Sequence, residues 1–365
     1  MTIFTRIHTV LAGVLRGRAA PSAAIALLLA ALLPGGLHRA AAAELRLLTW
    51  EGYAEDAWIK PFEAATGAKV SKTYVASNDE YMAKLAAGGG DYDLVVIVSS
   101  LAQDAIDAGF VQPLDMSVVT NFKQLYPRFQ QLPFIMKDGK VYGAPTFMGI
   151  TPITVNAKVI PDRTDFDLLF DPQYAGKITM WDDVSTIGDV AAAMGYEDIW
   201  NLTDEQLEAV KKKMIDQKKL IRKYWTQAGE VIELFQNNEV VATNSWNYVT
   251  SALLAQKYPA REFIPARPLG FIDSHFVVKG SKNAALANQF INHIISAEAQ
   301  ARIGEISGYL VTNPEAQTLM DPKVWDRLKA QQQPELLAKV KFWEKIPRRG
   351  RYLELLNEVK AAAVE

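Results

Sequence analysis

Trp50 follows the alternating run Leu45–Thr49, and Tyr53 comes three residues later. Asp182 and Asp183 follow the apolar run Ile178–Trp181, and Trp246 follows Glu239–Asn244. In open α/β sheets, ligands bind beyond the carboxyl ends of the strands, so these residues are placed to touch one. Aromatic faces attract cations through the ring quadrupole, and carboxylates take charge-assisted hydrogen bonds from ammonium groups. Together they describe a site that holds a cation rather than one that transforms it. Plainer roles are open to each: a Trp can be core, and Asp182 and Asp183, standing just before Val184, can cap a helix. Trp181 and Trp225 extend the same pattern.

Residue sets for other chemistry are missing from the sequence. Cysteine is absent, which excludes disulfides, thiolate metal sites and cysteine nucleophiles. Beyond residue 43 the only histidines are His275 and His293, without metal-ligating spacing or an H-E-x-x-H motif. No G-x-S-x-G elbow occurs. Gly88-Gly89-Gly90-Asp91 precedes a strand and lacks Lys-Ser/Thr, so it reads as a helix-to-strand loop rather than a phosphate cradle. Asp273-Ser274-His275 has the residue types of a hydrolase, but neighbours on a strand point to alternate faces. No cofactor or metal is expected, and the chain is not read as an enzyme. A secreted hydrolase is the distant alternative.

The elements that position these residues alternate between strand and helix. Strands are expected at Leu45–Thr49, Lys69–Val75 and Asp93–Val98, the last a nearly continuous apolar run suited to a buried parallel strand. Helices are expected at Asp56–Thr66, stopped by Gly67, from the capping box Ser77-Asn78-Asp79-Glu80 to the triple glycine, and from about Ser100 to Ala108. A second unit spans about 155–271. It contains the strand Ile178–Trp181, a helix capped at Thr203-Asp204-Glu205-Gln206 and running to about Lys213, an apolar stripe at Val231, Leu234 and Phe235, the strand Glu239–Asn244 and the helix Val249–Gln256. The strand Phe271–Val278 returns to the first unit, and helices Ala284–Ser296 and Glu298–Glu305 follow. The run Lys211-Lys212-Lys213 reads as a solvated helix face. This succession gives parallel sheets covered by helices.

The chain has 365 residues, long enough for two domains at about 150 each. Its net charge of −2 carries no basic excess for nucleic acid. Residues 1–43 hold four arginines and no acid, an apolar run Ala23–Leu33 too short to span a bilayer, and a four-alanine end. That is the pattern of a secretory signal cleaved near Ala43, leaving a mature chain that is periplasmic, not inserted in the membrane and monomeric.

Several stretches together resemble the spermidine/putrescine-binding periplasmic proteins of ABC transporters. They are Leu48–Tyr53, Ser77–Leu85, Tyr92–Val96, Leu114-Asp115 with Asn121-Phe122 and Leu125, Asp171–Lys177, and Gly308-Tyr309 with Asn313-Pro314, in order over about 270 residues. The resemblance implies a two-lobed, type II-like periplasmic binding protein fold of class α/β, each lobe a doubly wound sheet, with the ligand in the cleft between them. It places lobe one at 44–152 and 272–317 and lobe two at 153–271 and 318–365. It implies aromatic ligand contacts at Trp50, Tyr53, Trp246, Phe271 and Tyr309, an acidic contact at Asp183, and an ammonium-binding carboxylate at Asp273. Two departures stand out: Val98-Ser99-Ser100-Leu101 lacks the family's aromatic after the third strand, and Thr186 stands where the family has Glu. The implied function is capture of a small, putrescine-like amine and delivery to an inner-membrane permease. The alternative is a zwitterion, such as an ω-amino acid or an aminoalkylphosphonate. Its anionic end would fall to Arg267 or to the helix N-terminus at Ser99 and Ser100.

Overall fold

The computed structural model describes residues 43–88 and 90–363. The expected leader lies, except for Ala43, outside the described residues. In chain order the first strands are β1 (Glu44–Thr49), β2 (Lys69–Tyr74), β3 (Leu94–Val98), β4 (Val111–Gln112), β5 (Met136–Lys137), β6 (Lys140–Val141) and β7 (Gly143–Ile150). The chain continues with β8 (Ile153–Asn156), β9 (Ile178–Trp181), β10 (Ile221–Trp225), β11 (Ala242–Asn244), β12 (Ala260–Phe263), β13 (Leu269–Val278) and β14 (Lys341–Phe342).

Two sheets organise the molecule. In the first, β3, β1 and β2 run parallel, with β1 between the other two. Strand β13 closes the β3 side antiparallel and also pairs with β7, β4 and β14. Every residue of β3 is buried, as a strand covered by helices on both faces must be. The second sheet has the order β10-β9-β11-β8-β12, with β10, β9 and β11 parallel and β8 and β12 antiparallel additions. Strands β5 and β6 form a separate hairpin.

The chain crosses between the sheets at residues 151–152, between β7 and β8, and at 264–268, between β12 and β13. The crossings run side by side: the Thr151 amide donates to the Leu269 carbonyl at 2.8 Å. Residues beyond 318 touch both sheets. Strand β14 pairs with the start of β13. The helix Arg349–Ala361 lies beside the helix Asp204–Lys218, with Lys211 bonded to Glu358 and Lys360 to Asp182.

The local signals act as expected. The helix Asp56–Thr66 buries Trp58, Ile59 and Phe62 and ends at Gly67, whose φ of 70° suits a residue without a Cβ. Thr203 and Gln206 form the reciprocal capping box. Lys211, Lys212 and Lys213 pair with acids on the outer face of their helix or beside it. The strand Phe271–Val278 does return to the first sheet.

Candidate ligand-binding site

The ends of strands from both sheets meet at one place. In the first sheet Trp50 leaves the carboxyl end of β1, and Val98 ends β3 opposite Asp273 near the start of antiparallel β13. Gly52 makes the turn between Trp50 and Tyr53. Its φ is 86°, and a Cβ there would lie 2.9 Å from the Tyr248 ring, so the position demands glycine. In the second sheet Trp181 ends β9, and Trp246 follows β11 and precedes the helix Asn247–Ala255. Trp343 comes from after β14, held by its amide on the Gly270 carbonyl at 2.8 Å and by the Ser99 hydroxyl on its own carbonyl at 2.5 Å.

These residues enclose a cavity of about 20 Å³, room for about one water. Trp50, Tyr53, Val98, Phe271 and Asp273 line it from the first sheet, and Trp181 and Trp246 from the second. Asn78, from the helix Asn78–Ala86, and Trp343 complete the wall. The indoles pack closely. Trp246 meets Trp181 edge-on at 4.9 Å, Trp225 at 5.1 Å and Trp50 at 6.5 Å between ring centroids. Trp181 and Trp343 stack at 5.6 Å and 20°. Contacts across the cleft hold it shut. Asn78 Nδ2 donates to Asp183 Oδ2 at 3.1 Å, and Glu51 Oε2 accepts from the Gly229 amide at 2.8 Å, at the start of the helix Ala228–Gln236. A ligand longer than a water therefore enters by widening the cleft.

Asp273 is the single charged side chain in this wall. Its Oδ2 accepts from the Tyr53 hydroxyl at 2.5 Å, while Oδ1 is buried without a partner. Burial pushes the carboxyl up to about 7, against the pull of the Tyr53 hydrogen bond. Tyr53 stacks on Phe147 at 3.8 Å, and burial keeps its hydroxyl protonated, its pKa well above the usual value. A carboxylate fixed on one oxygen and open on the other, surrounded by aromatic faces, has the chemistry to accept hydrogen bonds from an ammonium.

The structure divides the residues expected at the site. Trp50, Tyr53, Trp246, Phe271 and Asp273 line the cavity together. Asp183 stands one layer behind, bonded to Asn78 and to the Ser185 amide. Burial raises its carboxyl, opposed chiefly by the charge of Arg349. Tyr309 is buried against the edges of Tyr53 and Phe271, at 5.5 and 5.6 Å, and does not reach the cavity. Ser99 and Ser100 are outside the wall too; Val98 takes that place because the Ser99 hydroxyl turns to the Trp343 carbonyl. Arg267 pairs with Glu197 on the surface and offers the cavity no cation. Thr186 donates to the Trp181 carbonyl at 2.8 Å and offers the cavity no carboxylate. The hydrolase types fail geometrically: His275 Nδ1 bonds Thr146, burial lowers its imidazole to about 3, and Ser274 has no hydrogen-bond partner.

Asn78, Val98 and Trp343 are wall residues that strand-end reasoning did not nominate. Asn78 was legible only as part of a helix cap, whereas Trp181 was marked as an aromatic at a strand end.

A family model for bacterial extracellular solute-binding proteins matches residues 57–332. This chain belongs to that family. Among the solute-binding proteins it is similar to, the spermidine/putrescine-binding periplasmic protein of Salmonella typhimurium is 28% identical over 310 residues, covering 82% of this chain and 86% of the relative. The putrescine/cadaverine-binding protein of Pseudomonas aeruginosa is 25% identical over 324 residues, covering 82% and 87%. A solved structure from Listeria monocytogenes, assigned to a spermidine/putrescine ABC transporter, superposes with a TM-score of 0.79 at 24% identity, covering 88% of this chain and 99% of that one. The family expected from the sequence is the one found, and the fold is the two-lobed α/β fold of periplasmic binding proteins. Among the described residues no helix is long and apolar enough to cross a membrane.

Proposed function

We propose that this chain is the periplasmic receptor of an ABC importer, capturing a small aliphatic amine of putrescine size between its lobes and handing it unchanged to an inner-membrane permease. The observation that carries this is the free Oδ1 of buried Asp273 within an aromatic cage. The reading includes export with cleavage near Ala43, a monomeric mature chain and no catalysis. The relatives' names support the ligand class, and the lack of a cation in the wall weighs against a zwitterion. The lobes are proposed to divide near 152 and 271 as read from the sequence, with the paired crossings at Thr151 and Leu269 as hinge. The pairing of β14 with β13 favours adding residues 341–342 to lobe one.

One carboxylate in the wall sets an expectation for longer polyamines. Spermidine would bury further ammonium groups against neutral atoms, and unpaired buried charge costs several kcal/mol. In a thermal-shift panel at equal concentration, putrescine should therefore stabilise the protein more than spermidine does. Ligand at 100 times its Kd contributes about 2.7 kcal/mol, enough to rank them. Spermidine giving the largest shift would mean that a second acid, Asp183 foremost, turns into the cavity.

A further inference from the structure

Asp273 Oδ1 is not the cavity's only idle polar atom. The indole N–H groups of Trp181 and Trp343 are buried and have no acceptor. Both side chains are more than nine-tenths buried, at 3% and 6% exposure, and both line the cavity. Asn78 Oδ1 is likewise buried and unpartnered. Its orientation is fixed chemically, because the amide nitrogen must face the acceptor Asp183. Buried polar groups in native proteins are almost always satisfied, and each orphan has a cost of about 1–3 kcal/mol. Four such atoms belong to residues of this one wall, where a ligand can complete the bonding.

Their inventory specifies that ligand. Asp273 supplies one negative charge, which one ammonium neutralises. What remains is two N–H donors and one neutral acceptor, with no second carboxylate and no cation in the wall. A second ammonium could use Asn78 Oδ1 but would leave both indole donors idle and its own charge unmatched. A carboxylate could use the indole donors but would bring a negative charge to a wall that holds no cation to oppose it. A neutral hydroxyl or carboxamide can accept from indole N–H and donate to Asn78, and adds no charge.

We propose that the ligand is a monocation, with a single ammonium on Asp273 and a far end that is a neutral hydroxyl or carboxamide, recognised by the indole N–H groups of Trp181 and Trp343. This deepens, and rests on, the amine-receptor reading. Trp343 is then a specificity-determining residue contributed by the C-terminal segment.

The test is calorimetry on the mature protein with amines of three, four and five carbons, each ending in methyl, ammonium, carboxylate, hydroxyl or carboxamide. The hydroxyl or carboxamide should bind at least tenfold tighter than the diamine and the amino acid of equal length. A diamine or an ω-amino acid binding tightest overturns this proposal and leaves the amine receptor standing. No binding by any member overturns both. Trp343→Phe keeps a ring and removes the N–H. It should weaken the carboxamide or alcohol about three- to tenfold more than it weakens the methyl-ended amine, from one lost hydrogen bond. Trp181→Phe should do the same. Equal binding of the neutral-ended ligand by both variants and the wild type overturns the role given to the indoles.

Discussion

Asp273→Asn should lower affinity for the amine at least a hundredfold while leaving the fold intact. Breaking a buried ion pair by removing one partner costs about 3–5 kcal/mol, and 1.4 kcal/mol is a factor of ten. The carboxamide can still accept from Tyr53, so the wall keeps its shape. The same residue sets a pH dependence. Without ligand, burial holds the carboxyl at about 7, above its unfolded value near 3.9. Between those values the folded state binds more protons than the unfolded one, so this group's contribution to stability falls as pH rises from about 4 to about 7 and is flat above. Asp189, also pushed to about 7 by burial, adds a slope of the same sign that the Asp273 variant retains. Binding runs the other way. An ammonium needs the carboxylate, so below about pH 7 each amine bound releases a proton from Asp273. Affinity should climb towards tenfold per pH unit up to about 7 and then level. Calorimetry between pH 5 and 8 reads both effects. Unchanged affinity in Asp273→Asn, or a flat profile in the wild type, would remove Asp273 from the site.

Trp246→Ala should cost about 3–5 kcal/mol of folding stability as well as the ligand. The ring sits among Trp50, Trp181 and Trp225, edge-on to each, and is 8% exposed. Removing a buried Trp forfeits its transfer energy and leaves a hollow, a loss of about that size. Edge-to-face pairs add about 0.5–1.5 kcal/mol apiece beyond area. A single domain-sized protein has about 5–15 kcal/mol in all, so the variant folds but with a clearly lower denaturation midpoint. A loss under about 1 kcal/mol would mean that the indole cluster collapses around the gap and that Trp246 is not its centre.

The fold was legible where local signals and burial agree. Strand β9 and the helix Asp56–Thr66 have the boundaries the sequence predicts. Strand β7 did not show itself. It carries Pro145 and two glycines and is buried throughout, so neither alternation nor propensity marks it. Pro145 is accommodated because the register of β7 against β13 shifts beside Ser274, its partner. Two stretches that carried the resemblance have structural caps: Asp171 and Asn313 each accept an amide at the start of a short helical turn. The wall from the first loop could be read from a strand end, whereas Phe271 and Asp273, near the start of β13, came only from the resemblance. Trp343 could be read from neither, because a two-residue strand has no period and its place depends on pairing with β13, some 70 residues earlier in the chain. Ser99 lies outside the cavity lining through the same long-range contact, since its hydroxyl donates to the Trp343 carbonyl.

The cleft is expected to hold an amine on Asp273. That expectation is tested most directly by native mass spectrometry of the protein isolated undenatured from its own cells, followed by identification of what it releases. The expected ligand is a small aliphatic molecule with a primary amine, present on the wild type and lost from Asp273→Asn. A co-purified ligand with no amino group, or one retained equally by the variant, would contradict it.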